Sequence, residues 1–146
     1  MVSWGLMTWI AWALLSAVFA ALTAVLAKIG VAGVDANLAT AVRTSVVVVF
    51  TWLLAWFTRQ PGALQAFTPR TWLFLTLSGL ATGSSWLCYF RALQTGEASR
   101  VAPLDKLSVV FVIPIAVLFL GERMTWGKGL GALLIFAGAM VLTFDR

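Results

Sequence analysis

A run of roughly 20 apolar residues is what one helix needs to cross the hydrocarbon core of a bilayer. This chain contains five such runs, separated by short polar turns. That feature leaves little choice of fold. Inside lipid every backbone N–H and C=O must be paired within the segment, so an isolated apolar run becomes a helix. The runs place helices at about 6–28, 38–57, 71–93, 100–120 and 128–144. The β-branched stretch Val46–Val49 would favour a strand in water, but within lipid the helix wins. The expected fold is an all-α integral membrane bundle of five transmembrane helices forming a single domain over residues 1–146.

Composition agrees. Hydrophobic residues make up 62% of the chain and charged residues 10%, against about 25% charged in a soluble domain. The net charge of +5 comes from cations scattered between apolar runs, not from a basic stripe. They read as membrane-flanking anchors, and no nucleic-acid partner is implied. There is no His, and the single Cys88 lies within an apolar run. Disulfide frameworks, His/Cys metal sites and Cys-His nucleophiles are thereby excluded, and neither cofactor nor enzymatic activity is expected. The first run lacks a basic leader and exceeds a signal-peptide core, so it reads as a retained helix with Trp4 and Trp9 as interface anchors. Asp35 or Asn37 can cap the second helix. Pro61, Gly62 and Pro69 break the longest loop, Arg59–Arg70.

An odd number of spans puts the termini on opposite sides. The N-terminal side receives Arg59, Arg70, Arg123 and Lys128. The other side, side B, receives Lys28, Arg91, Arg100 and Arg146, plus Arg43 and Lys106 if residues just inside the membrane count. Four against four, or four against six, is a slight bias where Lys/Arg excess normally fixes orientation. Insertion in both orientations and a single orientation with side B inside are both compatible with these counts.

The segment Gln94–Arg123, QTGEASRVAPLDKLSVVFVIPIAVLFLGER, carries the most information. Its order of Gly96, Ala98-Ser99, Val101-Ala102-Pro103, a long apolar run and Gly121-Glu122-Arg123, followed by a Gly/Ala-rich last helix, resembles the EamA repeat of the drug/metabolite transporter superfamily. One repeat matches this chain nearly end to end. Asp105-Lys106 within the pattern resembles a five-helix bacterial and archaeal subgroup. The resemblance implies a prokaryotic cytoplasmic membrane protein and inverted halves around a central pathway. A single repeat supplies one half, and an antiparallel homodimer would restore the other. Small multidrug exporters of the same superfamily use a glutamate in the first helix; Leu6–Ala27 has no acidic residue, so that chemistry is not carried over.

Charges inside a span are costly and mark pathways or binding sites. Arg43, Asp105 and Lys106 are therefore candidate pathway residues, with Arg43 able to pair with Asp105; the alternative is that the cations snorkel to headgroups. Asp105 is the single acidic residue within a span and thus the candidate for proton coupling. Ser84, Ser85 and Tyr89 add polar groups to the third helix, although hydroxyls can also bond back to their own helix. Pro114 is a candidate hinge. Gly131 and Gly138, a heptad apart on the last helix, let helices approach closely, by default within the chain; the resemblance, in which the last helix often contributes to dimer contact, makes them the candidate dimer interface. Together with the resemblance, these features point to a small secondary transporter that moves an organic metabolite by alternating access, the intramembrane cations suggesting an anionic or zwitterionic one. A non-transporting assembly partner of another half-repeat and a channel are the other readings.

Overall fold

The computed structural model describes residues 4–58 and 66–145, with side chains of the first helix described from Trp9 onward. Trp4 as an anchor, the loop residues Arg59, Pro61 and Gly62, and Arg146 lie outside these. All the regular structure of the described residues is helical: α1 (Trp4–Gly30), α2 (Ala36–Thr58), α3 (Pro69–Thr95), α4 (Ala98–Asp105), α5 (Ser108–Leu120) and α6 (Trp126–Phe144). With α4 and α5 taken as one span, Ala98–Leu120, five helices are long and apolar enough to cross a membrane. Val46–Val49 lie within α2, as the lipid argument requires.

Local chemistry sets the helix ends. Asp35 caps α2, its carboxylate accepting from the Leu38 N–H at 2.9 Å. Pro69 opens α3, where its missing N–H costs nothing, and the Thr68 hydroxyl accepts from the Thr71 N–H at 3.1 Å. α5 stops at Gly121, whose φ of 68° lies in the left-handed region that suits glycine. Thr125 then caps α6 by accepting from the Lys128 N–H.

The chain forms two compact units. One comprises α1 with α4, α5 and α6, and α6 packs against both α4 and α5. Its buried residues are alanines: Ala24, Ala27, Ala116 and Ala139. Small side chains let helices approach closely where no hydrophobic effect drives them together. The Lys28 ammonium donates to the Gly96 carbonyl at 2.9 Å, tying the end of α1 to the turn before α4.

The other unit, Gly30–Gln94, holds α2 and α3. Val31, Ala36, Thr40, Phe90 and Leu93 are buried, all near the end where α2 begins and α3 finishes. The Gln94 amide donates to the Val34 carbonyl and keeps those two ends level.

Most other large apolar side chains are exposed, from Phe57 at the end of α2 to Phe119 and Leu120 at the end of α5. In a bilayer that surface meets acyl chains. The helices are prepared for it: the hydroxyls of Thr40, Thr44, Ser45, Thr51, Thr58, Thr82, Ser84 and Thr143 each donate to the carbonyl four residues back. Such bonds remove the cost of carrying a hydroxyl into lipid.

The fourth span is interrupted. The Lys106 N–H reaches both the Ala102 and Pro103 carbonyls, and the Leu107 N–H reaches Leu104 at 3.0 Å. The Val109 and Val110 N–H groups likewise bond three residues back, to Lys106 and Leu107. This tight three-residue bonding separates α4 from α5. It follows Pro103, which has no N–H for the Ser99 carbonyl. Pro114 lies inside α5, about two turns further on.

Candidate functional site

The α2–α3 unit holds an arginine within a span. Arg43 sits seven residues after Ala36, so about 10 Å along the helix from its start. On α3, Trp86 and Phe90 are four residues apart and share a face. The Arg43 guanidinium lies 4.2 Å from the Trp86 ring centroid and 5.4 Å from that of Phe90. A cation over an aromatic face is worth about 0.5–1 kcal/mol when exposed and about 2 when desolvated. Arg43, Trp86 and Tyr89 are half-buried and Phe90 is fully buried. Tyr89 is close enough to interact electrostatically with Arg43.

Asp105 and Lys106 sit at the break between α4 and α5. They form an ion pair, Lys106 Nζ to Asp105 Oδ2 at 3.2 Å. Adjacent residues on a regular helix point about 100° apart, but the helix ends at Asp105 and the long lysine stem reaches back. The partners observed for Arg43 are thus aromatic rings, and the partner observed for Asp105 is its neighbour.

Ser84 donates to the Leu80 carbonyl at 2.9 Å, so its proton is used within α3; Ser85 is exposed beside it. At Gly131 and Gly138 an added Cβ would meet no described atom within 4 Å. Among the described residues, neither glycine is a close-packing point. The pairs Glu97–Arg100 and Glu122–Lys128, at 3.1 and 2.7 Å, are exposed and lie in the turns; such pairs contribute about 0–1 kcal/mol.

Phe90 escaped the sequence reading, and Trp86 entered it only as a neighbour of Ser84 and Ser85. Counting inward from the shared end would have found both. Arg43 lies seven residues from the start of α2, and Phe90 and Trp86 lie five and nine from the end of α3.

Five apolar spans joined by short turns define a polytopic helical membrane protein. Residues 7–144 match the EamA-like transporter family, and the chain belongs to it. Among its relatives is an "Uncharacterized transporter in cobO 3'region" from Sinorhizobium sp., 54% identical over 135 residues, covering 92% of this chain and 96% of that protein. No solved structure matches. The family is one of transporters, not of enzymes.

Proposed function

We propose that the protein is a small secondary transporter that moves an organic metabolite across a prokaryotic cytoplasmic membrane by alternating access, as an antiparallel homodimer. The observation that carries transport is the extent of the transporter-family match, residues 7–144, over a chain whose described helices are five candidate spans.

The distribution of tryptophan supports the antiparallel arrangement. Successive spans alternate in direction, which assigns each helix end to one side. Six of the eight tryptophans (Trp9, Trp12, Trp52, Trp56, Trp72 and Trp126) fall in the halves of their spans nearest the N-terminal side. Membrane proteins normally carry tryptophan at both interfaces. A copy inserted the other way round supplies the second belt, and the near-even Lys/Arg count permits that insertion.

Reconstitution tests the proposal. Purified protein alone in liposomes is expected to give saturable counterflow with at least one member of a panel of labelled organic and amino acids. Unsaturable flux would mean a channel. Flux that appears only when a second half-repeat protein is added would mean an assembly partner.

A further inference from the structure

Arg43 is held in an unusual direction for a membrane arginine. In a helix the Cα–Cβ bond tilts toward the N-terminus, and α2 begins at side B, so a snorkelling Arg43 would lean toward that interface. Trp86 lies about 13 Å and Phe90 about 8 Å from the end of α3, given their places nine and five residues before Thr95. The guanidinium is centred nearer Trp86, the deeper ring, at 4.2 Å against 5.4 Å. It therefore stays at about the level of its own backbone, between the two rings, and does not lean toward the side B interface. Trp86 also lies in the half of its span away from the belt of the N-terminal side.

Stacking occupies a flat face of the guanidinium and leaves its edge available. That edge carries five N–H donors in a fixed fork. None of the ion pairs or side-chain hydrogen bonds of the described residues involves Arg43. Donors carried to that depth without acceptors are costly. An oxygen anion with two coplanar acceptors matches the fork in bidentate fashion.

We propose that Arg43, oriented by Trp86 and Phe90, binds a carboxylate of the transported solute. This rests on the transport reading and gives it a substrate class. A lipid phosphate offers the same oxyanion chemistry from the interface, but a guanidinium held between Trp86 and Phe90 at its own depth favours a ligand from within the pathway.

The test uses full-length protein labelled with 5-fluorotryptophan in zwitterionic-lipid nanodiscs, with the Trp86 resonance assigned by Trp86→Phe. Benzoate and succinate are expected to move that resonance saturably, while benzamide and succinamide leave it in place. Arg43→Lys keeps the charge but loses the fork, and is expected to weaken the response about ten- to hundredfold. Arg43→Gln is expected to abolish it, with the other seven tryptophan resonances reporting an intact fold. The proposal is overturned if carboxylates leave the Trp86 signal unmoved, if their effect survives in Arg43→Gln, or if anionic lipid alone moves it. Saturable liposome flux unaffected by Arg43→Gln would also overturn it while leaving transport standing. Carboxylate binding without flux would remove transport and keep the site.

Discussion

Replacing Gly138 by leucine is expected to separate the two copies of the proposed dimer while leaving each chain folded. The fold should survive because a Cβ at this position meets no described atom within 4 Å, and because leucine is a better helix former than glycine by somewhat under about 1 kcal/mol. Gly131, one heptad earlier, lies on nearly the same face, so the two glycines form one shallow strip. In lipid, helices associate through close van der Waals approach, and glycine permits it where a larger residue holds the backbones apart. Gly138→Leu should lower the fraction cross-linked in proteoliposomes at least about tenfold, equivalent to about 1.4 kcal/mol. Helical content should not change, and solute flux should fall in parallel. Leu133→Met, at an exposed position on the opposite side of the same helix, is the control and should do neither. Unchanged cross-linking in Gly138→Leu would mean that the strip faces lipid and that any dimer uses another face.

Biasing orientation should have an equally large effect. Met124 and Trp126 are exposed in the turn before α6 and at its first residue, and converting both to lysine raises the cation count of the N-terminal side from four to six. Appending three lysines after Arg146 loads the opposite side. Each change should drive insertion strongly into one orientation, because Lys/Arg in short loops sets topology. If the working unit is antiparallel, either variant alone should lose most of its flux, and expressing the two together should restore it. Full flux from one biased variant alone would remove the antiparallel pair.

The membrane helices were legible in the sequence because run length and backbone pairing in lipid act on one segment at a time. The capping of α2 was narrowed to Asp35 or Asn37, and the structure selects Asp35. The interruption of the fourth span was less visible. Pro114 marks the middle of that span, yet the backbone tightens at Lys106-Leu107, where bonding follows Pro103 and runs three residues back. The surroundings of Arg43 were hidden for a different reason. A search for opposite charges leads from Arg43 to Asp105, whereas a guanidinium also satisfies its flat face on aromatic rings, here Trp86 and Phe90. Spacing likewise identified the strip of small residues on α6, but spacing does not distinguish a contact within one chain from one between two. Among the described residues, an added Cβ at Gly131 or Gly138 meets nothing within 4 Å, so no described group packs closely against either.

The most direct measurement of the central claim is two-sided labelling of a cysteine at position 146, introduced with Cys88→Ala so that position 146 carries the single thiol of the chain. Intact cells and then permeabilised cells are treated with a membrane-impermeant maleimide. The antiparallel account predicts that a substantial fraction labels from outside and that the remainder labels only after permeabilisation. Labelling from one side in every molecule would contradict it and require the inverted half to come from a different chain.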